Sequence, residues 1–288
     1  SSQRRVLPPK ALSGYIYFPG RSDAIHGEDL WRTDGTEAGT LVIKDVSPGV
    51  ASSRIESLVA LGGILFFPVT SGDHYELWKS DGTQEGTLPV NTSLTGIFDL
   101  RAVEDGLLFE SFDSDHGWEP WRSDGTEQGT VLAQDIVSGP DGSYSQAFTP
   151  LGNRVLFIAY DESAGGEPWV ARTAILFGQP GRAVQDLKDE VKALHLPKGL
   201  ETSLTGMLGA AASALSAGRT AQAVLLLEAF SRHLDAQTPR HISEASAADL
   251  REFAGEIVEL LETALPAGAP GSAPSSAVVL VRWPCPQP

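Results

Sequence analysis

The sequence predicts a multidomain protein, with an all-β repeat domain first and a small all-α bundle after it. Three observations predict this. A Trp-centred segment recurs through roughly the first 175 residues, strand-like runs flank every copy, and beyond residue 178 the apolar residues change from alternating to helical spacing.

The repeat defines the first part. GEDLWRTDGTEAGT ends at Thr40, YELWKSDGTQEGT at Thr87 and WEPWRSDGTEQGT at Thr130. A fourth copy, GEPWVART, ends at Thr173 without the Asp-Gly-Thr. The tryptophans, Trp31, Trp78, Trp121 and Trp169, are spaced by 47, 43 and 48 residues. Upstream lie YIYF, ILFFPV, LLFES and VLFIAY; downstream lie LVIKDV, LPV and VLAQDI. Each unit reads strand, turn, strand, Asp-Gly turn, strand, loop, strand. Asp34-Gly35, Asp81-Gly82 and Asp124-Gly125 suit tight turns, because glycine accepts a positive φ at little cost. The once-per-unit tryptophan suits packing between neighbouring sheets. Four short strands per repeat is the size of a propeller blade, so the domain reads as propeller-like, with about four blades and an incomplete last one. KALSGYIYFPG matches VALGGILFFPV, which leads to the expectation that the first residues add a strand to the last blade and close a ring. An open stretch of a longer array fits the same pattern.

After Gly178-Gln179-Pro180-Gly181 the pattern becomes helical. Val184, Leu187, Val191 and Leu194 share one face of a helix over 182–194. Further helices are expected over 200–217, stopped by Gly218, over 220–236, and over 246–265 with Ser246 and Asp249 as the capping pair. Short connections make these an antiparallel bundle. Domains are therefore expected at 1–178 and 179–265, followed by a Pro/Ala/Gly/Ser-rich tail over 266–288.

Two resemblances follow from these residues. The ELW-x-x-DGT-x-x-GT pattern over about residues 10–175 resembles the bacterial ELWxxDGT repeat family. That implies a secreted or cell-surface protein of propeller-like build, and it brings no catalytic residues. Pro120 and Pro168 in place of leucine, and the missing fourth Asp-Gly-Thr, depart from the pattern. GLETSLTGMLGAAASALSAGRTAQAVLLLEAFSRHLDAQ, within about residues 182–264, resembles the FIMAH domain, which implies an accessory or binding role in multidomain secreted bacterial proteins.

Charge narrows the function further. The chain carries a net −16, of which −13 falls on residues 1–179, so phosphate backbones are repelled and nucleic acid is not an expected partner. No apolar run reaches the ~18 residues of a membrane span. The single cysteine, Cys285, excludes an internal disulfide framework and a cysteine-based zinc site. The chain begins at Ser1 without methionine, which reads as a processed chain or a fragment.

Candidate site residues are few. Asp113, Asp115 and His116, in FDSDHG, come nearest to a ligand-binding loop, and calcium is the one cofactor they suit. No other metal is assigned. His26, His74 and His116 precede the tryptophans, and a turn or packing role fits them better than zinc. Asp23, Asp161, Glu28, Glu76, Glu119 and Glu167 complete an acidic loop set. No G-x-S-x-G elbow, H-E-x-x-H, P-loop or dinucleotide fingerprint occurs, so no catalytic residue is assigned and the expectation is a protein that is not an enzyme. It would bind an extracellular glycan or protein. The rival is a carbohydrate-active hydrolase or lyase using paired carboxylates on one propeller face.

Overall fold

The computed structural model describes residues 7–21, 27–46, 48, 53–72, 74–104, 106–161, 165–263 and 281–282. Asp23, His26 and Cys285, with nearly all of the tail, lie outside them, as does the side chain of Asp161. The chain divides into two compact units, one reaching Val170 and one starting at Ala171.

In the first unit every upstream run folds back on a tryptophan strand. β1 (Lys10–Leu12), β2 (Tyr15–Gly20), β3 (Asp29–Thr33) and β4 (Leu41–Lys44) form one antiparallel sheet in that order. β5 (Arg54–Ile55), β6 (Val59–Leu61), β7 (Ile64–Ser71), β8 (His74–Ser80), β9 (Leu88–Val103), β10 (Gly106–Asp113), β11 (Gly117–Ser123) and β12 (Val131–Leu132) form a second, of eight strands. β13 (Gln146–Leu151), β14 (Arg154–Asp161), β15 (Gly165–Arg172) and the short β16 (Val281–Arg282) form the third. The register repeats, with Phe18 opposite Trp31, Phe67 opposite Trp78 and Phe109 opposite Trp121.

Four separate blades are not what forms. The second and third repeats share β9, whose first part pairs with β8 as far as Leu94 and whose second part pairs with β10 from Thr95. No proline or turn interrupts the chain there, and register shifts absorb the change of partner, with Gly96 and Asp99 at positive φ. β1 pairs with β2 inside its own sheet and not with the last one. No closed ring is present among the described residues: Ile16 on the first sheet is 45% exposed and Leu156 on the last is 37% exposed.

Neighbouring repeats bury their faces against each other. Tyr17, Leu30 and Ile43 of the first sheet share a core with Leu65, Phe67 and Trp78 of the second. Phe66, Leu77 and Ile97 pack with Leu107 and Phe109, and Trp121 lies against them. Each such side chain contributes about 1.5–3 kcal/mol when fully buried.

The Asp-Gly-Thr turns lock these layers. Asp81 Oδ1 accepts the Thr83 N–H at 2.8 Å and the Thr83 hydroxyl at 2.7 Å. Thr83 Oγ1 accepts the Gly86 N–H at 2.9 Å, and Thr87 donates to the Thr83 carbonyl at 2.6 Å. Asp34 with Thr36 and Asp124 with Thr126 repeat the arrangement. A cation then stitches each repeat to the next. Arg32 donates to the Gly82 carbonyl at 2.7 Å, and Lys79 donates to the Gly125 carbonyl at 2.9 Å.

The second unit is helical from residue 173 to 263. α1 (Thr173–Leu176) leads into α2 (Pro180–Ala193), α3 (Lys198–Ser216), α4 (Thr220–Gln237) and α5 (Glu244–Thr263). Each of α2 to α5 packs on the next, and α5 packs back on α2. Leu187, Leu208, Leu227, Phe230, Phe253 and Ile257 fill the centre. Gly218, at φ +70°, ends α3: its N–H meets the Leu215 carbonyl and the Arg219 N–H meets that of Ala214. The α5 cap is Ser243, whose hydroxyl oxygen accepts the Ser246 N–H at 3.1 Å. Asp249 is not part of a cap. It joins Glu256 around Arg172, with Asp249 Oδ1 at 2.8 Å and both Glu256 oxygens at 2.9 Å. The guanidinium carbon lies 4.2 Å over the Phe253 ring. Asp249, Phe253 and Glu256 are spaced by four and three residues, one helical face.

Two predictions follow from this packing. A Cβ at Gly86 would meet Asp81 Oδ1 at 2.1 Å, whereas one at Gly206 of α3 meets nothing within 4 Å. Gly86→Ala should lower the urea midpoint, with a loss of about 1–3 kcal/mol, while Gly206→Ala should raise stability by about 0.5–1 kcal/mol. Arg172→Ala removes the guanidinium bonded to both oxygens of Glu256, which is only 4% exposed, and should cost the helical unit about 3–5 kcal/mol in denaturant unfolding followed by far-ultraviolet circular dichroism.

Candidate ligand-binding site

The hairpin of β10 and β11 carries Asp113, Asp115 and His116 at its tip. Asp113 Oδ1 accepts the N–H groups of Asp115 and His116, each at 2.8 Å. The His116 ring Nδ1 lies 2.9 Å from both Asp113 oxygens. The Asp113 bond holds the imidazole above the usual histidine range. Burial would raise Asp113, but the bonds from His116 and Asp115 outweigh it and hold the carboxyl low. Asp113 therefore closes the turn and pairs with His116. Among the described residues no group of three or more His, Cys, Asp or Glu side chains is placed to hold a metal ion.

Beside this tip lies a set of aromatic rings that sequence reasoning missed. Tyr75, Phe98, Phe112 and Trp118 come from β8, β9, β10 and β11, four neighbouring strands. Phe98 lies 6.0 Å from Tyr75 and 5.4 Å from Trp118, and Phe112 lies 5.4 Å from Trp118. Phe98 is 45% exposed and the other three are half-buried. Gly96 makes room for them, since a Cβ there would meet the Trp118 ring at 2.6 Å. Trp118 stands three residues before Trp121, so it points to the opposite face of the strand. An extra tryptophan in one repeat, matched only by Tyr75 in the second, was the available signal.

The loop after β12 is clamped behind these rings. The N–H groups of Ser143 and Tyr144 both donate to the Trp118 carbonyl, at 2.8 and 3.0 Å. Glu119 accepts the Val137 N–H at 2.9 Å and the Ser143 hydroxyl. Glu119 is a strand residue with no exposure, not a loop residue; Glu76 and Glu167 also sit on strands. Burial pushes its carboxyl up from 4.5 to about 7, against the bonds from Ser143 and Val137. Glu110 on β10 is also raised to about 7, by burial first and then by the charge of Asp99. Asp99 itself accepts the Phe148 N–H at 2.9 Å and pairs with Arg101.

The other singled-out residues lie elsewhere. The carboxylates of Asp34 and Asp81 are held low by the hydroxyls and then the N–H groups of Thr36 and Thr83, inside their own turns. Trp78 donates to Glu76 at 2.7 Å and stacks on Phe67. His74 is exposed at the start of β8.

With this geometry in place, comparisons with known proteins add one family. Residues 183–259 match the FIMAH domain. The match covers most of α2 to α5 and leaves the repeat domain outside it. No curated protein matches the chain. Similar solved structures include a puromycin hydrolase, at 15% identity over 58% of this chain and 27% of that one, with a TM-score of 0.41. The acylaminoacyl peptidase of Pyrococcus horikoshii is 11% identical over 57% of this chain and 25% of its own, with a TM-score of 0.39. Oligopeptidase B of Leishmania major is 10% identical over 56% and 23%, with a TM-score of 0.40. The chain thus spans about a quarter of the length of these structures. The expectation of a protein that is not an enzyme is withdrawn: the similar structures are a hydrolase and peptidases, and a likeness this distant assigns no activity to this chain and excludes none. Missing sequence motifs excluded particular chemistries and not enzymes as a class. No helix among the described residues is long and apolar enough to cross a membrane.

The Glu119 clamp makes a pH prediction. Its folded carboxyl, at about 7, holds a proton that the unfolded chain releases from 4.5 upward, so its contribution to stability falls as pH rises between these values. Glu119→Gln removes that proton exchange. The fall in melting temperature between about pH 5 and about pH 8 should be smaller in the variant than in the native chain.

Proposed function

We propose that the protein is a secreted or cell-surface bacterial binding protein whose repeat domain presents the Tyr75–Phe98–Trp118–Phe112 face to a glycan. The aromatic cluster carries this reading. Aromatic rings offer flat, partly negative faces to the apolar C–H side of a sugar ring, and they bind without much loss of side-chain freedom. Asp115, exposed at the hairpin tip, supplies oxygens for sugar hydroxyls. The net −13 of residues 1–179 disfavours uronate-rich or sulfated chains, so the ligand is a neutral or amino-sugar glycan.

Within this reading the first part is an ELWxxDGT-type array of propeller-like build over 1–178, and the FIMAH-like bundle over 179–265 is an accessory docking unit. The thrice-repeated turn chemistry and the shared tryptophan register support the array. The location rests on the two family resemblances.

Titration calorimetry against neutral and N-acetylated oligosaccharides tests the reading, with product analysis alongside so that cleavage is scored too. Phe98→Ala should weaken binding about tenfold, ~1.4 kcal/mol, while the melting temperature changes little. Binding that ignores both Phe98→Ala and Tyr75→Ala, or a complete absence of glycan binding, would remove this face as the site.

A further inference from the structure

Asp81, Asp113 and Glu119 are each bonded within the fold, but Glu110 on β10 is not. Among the described residues it accepts no hydrogen bond and pairs with no cation. It is half-buried all the same. Burial pushes its carboxyl up to about 7, and the charge of Asp99 adds to the rise, so both act against a lone negative charge there. Arg101 does not relieve it, because its guanidinium pairs with Asp99 at 2.5 Å and donates to the Leu100 carbonyl at 3.2 Å.

The strand register puts Glu110 among the aromatic rings. Glu110 stands opposite Phe98 on β9 and opposite Pro120 on β11, and Phe112 stands opposite Trp118. Residues opposite each other, and residues two apart on one strand, share a face of the sheet. Phe98, Glu110, Phe112 and Trp118 therefore lie on one face, and the Tyr75 ring joins them 6.0 Å from Phe98. Phe109 and Ser111, which alternate with Glu110 and Phe112, are fully buried on the reverse.

A carboxylate without a counter-charge, set among ring faces, suits an organic cation. The rings attract the cation through their negative faces, and the carboxylate supplies the opposite charge. A calcium ion does not suit the place. It takes six to eight oxygens, the rings offer none, and Asp99 is already engaged by the Phe148 N–H and Arg101. A neutral or N-acetylated sugar would leave the Glu110 charge unmatched.

We infer that the aromatic face takes a glycan whose sugars carry free ammonium groups, with Glu110 as the counter-ion beside Phe98 and Trp118. This rests on the glycan reading above and narrows it to amino sugars that are not acetylated. The net −13 of residues 1–179 draws such a polycation towards the domain.

Titration calorimetry of the full chain compares a glucosamine tetramer with an N-acetylglucosamine tetramer at about pH 6.5, where free amines carry charge and an ammonium beside Glu110 favours its ionised form. The glucosamine tetramer should bind at least about tenfold tighter. Glu110→Gln should abolish the preference by weakening that tetramer alone, with no loss of melting temperature, since a lone buried charge is removed. Glu85→Gln takes the same charge from an exposed turn and should keep the preference, which separates a contact from the overall field. Equal affinities for the two tetramers in the native chain, or a preference that survives Glu110→Gln, overturn the inference and leave the glycan face standing. Binding of neither tetramer overturns both.

Discussion

Every sheet in the repeat domain has two apolar faces, and water cannot be left on either without cost. One strand alternates its side chains, so Leu65 and Phe67 bury backward while Phe66 buries forward. This two-sided burial makes the layers interdependent: no sheet is stable on its own faces, and each is finished by a neighbour. The Asp-Gly-Thr turns serve this stacking. Their glycines let Tyr17 and Phe66 approach, and their carbonyls receive Arg32 and Lys79.

Most of the acidic groups that look chemically interesting in isolation are engaged in holding the fold. Asp81 is bonded within its turn, Asp113 to His116, Glu119 to the loop behind Trp118, and Glu256 to Arg172. These interactions explain why carboxylates recur at fixed places in the repeat without converging on one point. What is left over at the surface beside them is aromatic. Tyr75, Phe98 and Trp118 have no counterpart in the first and fourth repeats, where Glu28 and Gly166 stand at the position of Trp118. A feature absent from half of the repeats is not required by the stacking, and this separates the proposed binding face from scaffold.

Legibility followed the range of the interactions. The repeat, its tryptophans, the Asp-Gly-Thr turns and the four long helices are local patterns, and each was readable because turn chemistry and helical periodicity act over a few residues. Helix starts were less secure: Ser246 looked like the cap, yet Ser243 makes the bond, because serines three apart at a helix entrance offer the same chemistry. The role of Asp249 was beyond reach altogether, since its partner Arg172 lies 77 residues away.

The sequence by itself determined that the chain alternates strands and turns on a repeat of 43–48 residues and then becomes helical, because those choices rest on neighbouring residues. Tertiary structure decided the rest. It fused the second and third repeats through β9, gathered four aromatics from four strands, and buried Glu119 and Glu256 beside their partners. Those outcomes depend on which sheet lies against which, and pairings between residues far apart in the chain leave no local pattern to read.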